Sequence, residues 1–181
     1  MPMTACRVEV VKDVAAIARA AAELFVKLAA QTASQRSQFR VLLAGGTTPK
    51  ALYTLLASAA YRSRVDWDRV AFFFGDERAV PPDHPQSNYR MANEALFRPV
   101  GIAESSIHRM KAEAEDLNAA AAAYEGVLRA SFGSVPRFDL VLLGMGADGH
   151  TASLFPGSPC SRNRRGGWRP CWTRPSRRLV A

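Results

Sequence analysis

The sequence has few cysteines. Only Cys6, Cys160 and Cys171 occur in 181 residues, and no two of them form a Cys-x-x-Cys pair. This spacing excludes a disulfide framework, argues against a structural zinc site and is typical of a reducing compartment, so we expect a cytoplasmic location. Clusters of histidine, cysteine and carboxylate residues with metal-ligand spacing are also missing, so neither a metal nor another cofactor is expected.

Long uncharged hydrophobic runs are missing as well. The most apolar stretch, 14–30, is interrupted by Arg19, Glu23 and Lys27. A membrane span needs about 20 residues almost free of charge. The first residues lack the basic and apolar regions of a signal peptide. These absences predict a soluble protein without a membrane partner.

Acidic residues are absent from one part of the chain. The whole chain carries 24 basic and 16 acidic residues, a net charge of +8, which taken alone suggests nucleic-acid binding. However, residues 160–181 contain seven Arg and no acid, and without them 17 basic residues face 16 acidic ones. The positive charge therefore belongs to this segment, and nucleic acid is not the expected partner.

What the chain does contain is an alternation of apolar runs and helix-forming segments. Continuous apolar runs predict three strands buried on both faces, as in a parallel sheet: 39–44, 70–74 and 138–143. Periodicity predicts four helices: 14–31, 50–60, 88–97 and 116–132. Shorter strands are predicted at 8–11 and 107–110. We therefore expect one α/β domain, a three-layer sandwich around a mainly parallel, Rossmann-like sheet.

A loop rich in glycine or charge follows each long strand. In open parallel sheets ligands bind at the carboxyl ends of the strands, so the topology predicts that these loops meet at one edge. The first loop contains Gly45, Gly46, Thr47 and Thr48 just before a helix. Its backbone N–H groups, hydroxyls and helix N-terminus suit a phosphate. An ordinary strand-to-helix turn is the alternative.

The second loop carries charge directly after a very apolar strand. Asp76, Glu77 and Arg78 stand together there. An arginine beside two acids suits a phosphate or a hydroxyl-rich ligand, and a solvated turn is the alternative. Ser87 and Asn88, further along, are predicted to cap the next helix.

The third loop, 144–150, matches the pattern GxGxxG. The acidic residue that dinucleotide-binding proteins carry about 20 positions later is missing, so NAD is not predicted. Asp148 and His150 remain, a carboxylate two residues from an imidazole at a strand end. This arrangement suits general base and acid catalysis; a surface or capping histidine is the alternative. His84 and His108 are interpreted as surface or loop histidines.

Together the three loops resemble those of the 6-phosphogluconolactonases over positions 1–159. The resemblance is carried by Gly45 to Pro49, by 75–81 with Ser87 and Asn88, and by 144–157. The glucosamine-6-phosphate deaminases share the GxTP and Asp-Gly-His elements. Their second loop typically reads Asp-Glu-Tyr, and their third continues toward Asn-Glu-Pro. Arg78 and the run 151–156, Thr-Ala-Ser-Leu-Phe-Pro, therefore favour the lactonases.

The resemblance implies metal-free, cytoplasmic hydrolysis of 6-phospho-D-glucono-1,5-lactone to 6-phospho-D-gluconate, the second step of the oxidative pentose phosphate pathway. In such a site His150 would activate water and then protonate the departing ring oxygen. Asp148 would orient the imidazole or contact sugar hydroxyls, and Asp76 is a second candidate for hydroxyl binding. Arg78 and the loop 45–48 would hold the phosphate. The alternatives are a glucosamine-6-phosphate deaminase or isomerase, and a non-catalytic sugar-phosphate binder with a basic tail.

The resemblance ends after Pro159. Residues 160–181 combine seven Arg, two of the three Trp and two of the three Cys, without any acid, and their Gly and Pro interrupt both helix and strand. The alanine-rich body suggests a GC-rich gene, which read out of frame yields many Arg, Gly, Pro, Trp and Cys codons. We therefore expect 1–159 to be a lactonase domain that is incomplete at its C-terminal end. Residues 160–181 are expected to be a disordered frameshift product outside the fold; a natural basic tail is the alternative.

Overall fold

The computed structural model describes residues 7–158 and, beyond them, the backbone of two short strands. In chain order the strands are β1 Phe39–Leu43, β2 Val70–Phe74, β3 Asp76–Arg78, β4 Ile107–His108, β5 Leu140–Val141, β6 Arg169–Trp172 and β7 Arg177–Val180. The helices are α1 Val14–Gln35, α2 Thr47–Leu56, α3 Asn88–Ala92, α4 Arg98–Val100 and α5 Leu117–Phe132. A π-helical turn, Asn93–Phe97, joins α3 to α4, and short 3-10 turns occupy Arg62–Arg64, Trp67–Arg69 and Glu104–Ser106.

The main sheet is parallel and places β2 and β1 at its centre. Its strand order is β4-β2-β1-β5, and every pairing in it is parallel. Alternate side chains of a strand point to opposite faces. Phe72 accordingly packs on Phe97 with ring centroids 5.0 Å apart, whereas Phe73 packs on Phe132 of α5 at 5.1 Å. Helices thus cover both faces, and the predicted three-layer α/β sandwich is confirmed.

The central strands are buried because the helices cover both of their faces. All five residues of β2 are buried, and on α1 Phe25 packs edge-on against Phe39 of β1 with centroids 5.2 Å apart. Apolar side chains at consecutive positions of these strands are therefore all shielded from water, as the run 70–74 predicts.

The prediction of two-sided burial is wrong for the last strand. β5 is only two residues long, although hydrogen bonds from Asp139 N to Arg40 O and from Leu142 N to Leu42 O extend its contact with β1. Val141 is 43% exposed and Leu143 63%. The reason is that β5 lies at the edge of the main sheet, so its apolar side chains are not enclosed as those of β1 and β2 are.

The N-terminal part also differs from the sequence-based expectation. Residues 8–11 form no strand, and Val8 and Val10 are 79% and 91% exposed. A strand needs a neighbour that pairs with its backbone, and within the described residues this segment has none. Helix α1 begins at Val14 as expected, after Asp13, whose carboxylate accepts a hydrogen bond from Ala16 N at 2.7 Å, but it continues to Gln35 and not only to residue 31.

A second sheet involves the segment that the sequence predicts to be disordered. β7 pairs antiparallel with both β6 and β3, in the order β3-β7-β6. The backbone of these eight residues is thus paired where the composition indicates disorder. The rest of 160–181 lies outside the described residues, and its separation from the fold stays a prediction.

None of the helices in the described part of the chain combines the length and apolarity that crossing a bilayer requires.

Candidate active site

The carboxyl ends of β1, β2 and β5 surround a cavity of about 420 Å³, which we call the edge cavity. It is lined by residues 43–49, 75, 76, 78, 142–146, 150 and 152. The structure thus brings together the three loops that the sequence singles out. Of the predicted site residues, all except Asp148 line this cavity: Gly45, Gly46, Thr47, Thr48, Asp76, Arg78 and His150.

Two buried tyrosines fix the strand ends beneath the cavity. The hydroxyl of Tyr53 donates to Ala44 O at 2.8 Å and accepts from Ala44 N at 3.1 Å. The hydroxyl of Tyr124 makes the same pair of bonds to Phe74, at 3.2 and 2.9 Å. These bonds satisfy backbone groups at the points where the strands leave the sheet. Burial raises the pKa of both phenols, which therefore remain protonated donors.

The start of α2 forms one wall of the cavity. Gly46 precedes the helix with a φ of 107°, a conformation that favours glycine. The first helical hydrogen bond runs from Lys50 N to Gly46 O at 3.1 Å, so the N–H groups of Thr47 and Thr48 have no acceptor within the helix. No side chain of the described residues caps this terminus. The wall thus offers free N–H donors and the positive end of a helix dipole to an anion.

Arg78 brings a positive charge to the same cavity. Its Nε is buried and has no hydrogen-bond partner among the described residues. Other arginines of this part of the chain are paired with glutamate, as Arg64 is with Glu23 and Arg109 with Glu113. Arg78 has no such partner within residues 7–158, so its guanidinium is available to a negatively charged ligand.

Glu77, which the sequence places in the loop without a specific role, holds that loop in place. Its buried carboxylate accepts hydrogen bonds from Asn88 N at 2.7 Å, from Tyr89 N at 2.8 Å and from Ser87 Oγ at 3.1 Å. It also accepts from the backbone N–H of Arg78 at 2.7 Å. Burial raises the pKa of Glu77, while these hydrogen bonds oppose that rise. Glu77 thus joins the Arg78 loop to the start of α3.

His150, which follows β5 and lines the cavity, forms a hydrogen-bonded pair with Asp148. Nδ1 of His150 lies 2.5 Å from Oδ1 of Asp148, and the imidazole stacks on Phe155 with centroids 4.4 Å apart. The hydrogen bond from His150 lowers the pKa of Asp148, which is therefore ionised at neutral pH. A carboxylate on Nδ1 selects the tautomer with a proton there and leaves Nε2 as the basic nitrogen. Asp148 thus lies behind the imidazole and does not line the cavity.

Gly146 has a role that the GxGxxG pattern does not reveal. A Cβ at this position would collide with the ring of His150 and come within 2.9 Å of Oδ1 of Asp148. The backbone N–H of Gly146 donates to His150 O at 2.8 Å, closing the loop. The glycine therefore gives the imidazole room to pack against the backbone.

Asp76 is held by protein groups on both of its oxygens. Oδ1 accepts a hydrogen bond from Asn88 Nδ2 at 3.1 Å, and Oδ2 accepts one from Ser153 Oγ at 2.5 Å. The residue is only 4% exposed. Ser87 caps α3 by accepting from Arg90 N at 3.1 Å, as predicted, whereas the Asn88 side chain turns toward Asp76. No pattern in the sequence points to Ser153 as a partner of Asp76.

The two remaining histidines lie away from the cavity. His84 accepts a hydrogen bond from Gln86 N at 3.1 Å within the proline-rich loop. The interpretation of His108 as a surface or loop residue is wrong, because its imidazole lies on β4 and stacks on Phe73 with centroids 4.4 Å apart. Burial lowers the pKa of His108.

Among the side chains that the structure describes, no three from histidine, cysteine, aspartate and glutamate are grouped so that they could hold a metal ion.

The fold and the site together define an open α/β protein whose ligand cavity lies at the carboxyl edge of a parallel sheet. The family of glucosamine-6-phosphate isomerases and 6-phosphogluconolactonase matches residues 12–178, a range that extends past Pro159. The chain belongs to this family.

Curated relatives and solved structures agree with this membership. A 6-phosphogluconolactonase of Synechocystis is 47% identical over 130 residues, which are 70% of this chain and 52% of that protein. One of Nostoc is 40% identical over 153 residues, 82% of this chain and 62% of that protein. The structure of the 6-phosphogluconolactonase from Trypanosoma cruzi superposes with a TM-score of 0.83 at 31% identity, covering 94% of this chain and 72% of that one. The chain thus spans between half and two thirds of the length of these curated relatives.

Proposed function

We propose that this chain hydrolyses 6-phospho-D-glucono-1,5-lactone to 6-phospho-D-gluconate. The observation that carries the proposal is that the edge cavity combines a basic imidazole nitrogen with two anion-binding elements. His150, oriented by Asp148, lines this cavity. The start of α2, which has no side-chain cap among the described residues, and Arg78 line it as well. The relatives named 6-phosphogluconolactonase support the same assignment.

Binding of the phosphate would position the lactone. The N–H groups of Thr47 and Thr48, the adjacent loop residues Gly45 and Gly46, and the guanidinium of Arg78 would surround the phosphate oxygens. Energy from this remote contact is used to hold the reacting carbonyl beside His150, which raises the rate of the chemical step.

The imidazole of His150 would act first as a base and then as an acid. As a water oxygen attacks C1 of the lactone, Nε2 of His150 takes one proton from that water. The tetrahedral intermediate then collapses, the bond between C1 and the ring oxygen breaks, and the imidazolium returns its proton to that oxygen. The products are the C5 hydroxyl and a carboxylic acid, which ionises in water. Asp148 would keep the reactive tautomer and stabilise the imidazolium.

The cellular setting is part of the proposal. We propose that the reaction takes place in the cytoplasm, at the second step of the oxidative pentose phosphate pathway. The low cysteine content supports a reducing compartment.

A lactone hydrolysis assay on the 181-residue chain, corrected for spontaneous hydrolysis, tests the proposal. His150→Ala is expected to lower kcat by about 10²–10⁴-fold with a small change in KM. His84→Ala removes a histidine outside the cavity and serves as the matched control. Near-normal turnover by a folded His150→Ala variant would exclude His150 as the base. Ammonia release from glucosamine 6-phosphate without lactone hydrolysis would favour a deaminase instead.

A further inference from the structure

The buried carboxylate of Asp76 connects two segments around the edge cavity: the start of α3 and residues 144–154, which we call the histidine loop. One of its oxygens bonds Asn88, and the other bonds Ser153, which is 77 residues away in sequence and fully buried. Ser153 follows His150 by three positions, so this bond attaches the histidine loop to the end of β2. A carboxylate with so little exposed surface and both oxygens engaged is poorly placed to receive sugar hydroxyls.

Asn88 extends the connection to the loop 45–48. Its amide nitrogen donates to the backbone oxygen of Asp76 at 3.0 Å as well as to the carboxylate. Its side chain lies against Gly45, where a Cβ would collide with the amide group. The position of the Gly45 loop and the position of Asp76 are therefore coupled through one side chain.

The histidine loop has little support of its own. Its internal backbone bonds are those from Gly146 N to His150 O at 2.8 Å, from Gly149 N to Gly146 O at 2.9 Å and from Leu154 N to Thr151 O at 2.9 Å. Ala152 has a φ of 49°, in the left-handed region that is unfavourable for a residue with a Cβ. Such a conformation persists only where surrounding contacts impose it. The bond between Ser153 and Asp76 connects this loop with the residues that follow β2.

We infer that Asp76 is a positioning residue, which with Ser153 and Asn88 sets the distance between His150 and the loop 45–48. The expected effect on kcat rests on the proposed function, whereas the expected effect on the structure of the histidine loop does not. A displacement of about 1 Å between the reacting groups is enough to lower turnover about 100-fold.

Ser153→Ala separates positioning from direct substrate binding, because it breaks the contact and leaves the Asp76 carboxylate in place. Positioning predicts that kcat for the lactone falls by about 10–100-fold and that the Gly146 amide exchanges hydrogen at least about 10-fold faster. If Asp76 instead binds sugar hydroxyls, both quantities stay at their wild-type values. Ser131→Ala, which removes a hydroxyl bonded to Val127 O on α5, is the matched control.

Substitution of Asp76 itself gives the second comparison. Asparagine has the same shape, and it can accept from Asn88 and donate to the oxygen of Ser153. Positioning therefore predicts that Asp76→Asn retains kcat and Gly146 protection within about threefold, whereas Asp76→Ala loses both. Equal losses in the two variants, with KM raised in both and Gly146 protection unchanged, would overturn the inference. Hydrogen exchange is measured on the full chain, so it tests the inference even if the wild type hydrolyses no lactone. A wild type without lactone hydrolysis would refute only the proposed function.

Discussion

The imidazole of His150 packs so closely on Gly146 that its ring occupies the place of a Cβ at residue 146. Gly146→Ala should therefore displace the imidazole without removing any reactive group. We expect kcat for lactone hydrolysis to fall by about 10–100-fold, because the base loses its alignment with the carbonyl. Steady-state kinetics of the purified variant measure this effect.

Gly126→Ala is the control for this substitution. Gly126 is an exposed residue of α5, and a Cβ there would meet nothing within 4 Å. This variant should retain full activity and gain about 0.5–1 kcal/mol in the free energy of unfolding, because alanine favours the helix. A Gly146→Ala variant with wild-type kcat would show that the ring contact is unimportant for turnover.

The guanidinium of Arg78, which has no carboxylate partner within residues 7–158, leads to a prediction about specificity. Arg78→Ala should raise KM for the phosphorylated lactone by about 10-fold or more, with a much smaller effect on unphosphorylated gluconolactone, because only the former carries the anion. Arg129→Ala removes an arginine that is paired with Glu125 and does not line the cavity, and both KM values should stay unchanged. Equal effects of Arg78→Ala on the two substrates would mean that Arg78 is structural or contacts the sugar.

The centre of the fold could be predicted because its signal is local. The continuous apolar run 70–74 predicts a strand that is covered on both faces, and the burial of all residues of β2 agrees with this prediction. Residues 8–11 have a similar local signal but no partner strand within the described residues, so propensity alone misassigns them. The apolar run 138–143 predicts burial on both faces, but part of it is exposed. The sequence does not reveal that β5 lies at an edge of the main sheet.

The site could be predicted only in part. Strand ends carry the loops to one edge, which topology alone indicates. The partners of Asp76 lie 12 and 77 positions away, and no local pattern links them. Likewise, the sequence contains a glycine at position 146, but it does not show that the imidazole of His150 packs on this residue. Contacts of this kind depend on how distant loops approach one another.

The two tyrosines below the cavity allow a test of how much their hydrogen bonds to backbone groups contribute to stability. Tyr53→Phe keeps the ring but leaves the N–H and C=O of Ala44 without their partner. We expect a loss of about 1–3 kcal/mol in the free energy of unfolding, measured by urea denaturation. Tyr61→Phe, which removes a hydroxyl bonded to Glu23 at the surface, should cost clearly less. Equal losses would indicate that water replaces the hydroxyl at Ala44.

The stacked, half-buried imidazole of His108 makes stability depend on pH. Because burial lowers its pKa below that of a free histidine, the unfolded chain binds more protons than the folded chain as the pH falls through about 6.5. Stability contributed by the neutral imidazole is therefore present at higher pH and is lost on acidification.

His108→Phe removes this titration and keeps an aromatic ring on Phe73. The free energy of unfolding should be measured by urea denaturation at pH 7.5 and pH 5.5 for both proteins. The decrease between the two values should be larger for the wild type than for His108→Phe. The remaining ionisable groups are the same in both proteins, so their contributions cancel in this difference. An identical pH dependence in the two proteins would mean that His108 gains its proton as readily in the folded chain as in the unfolded one.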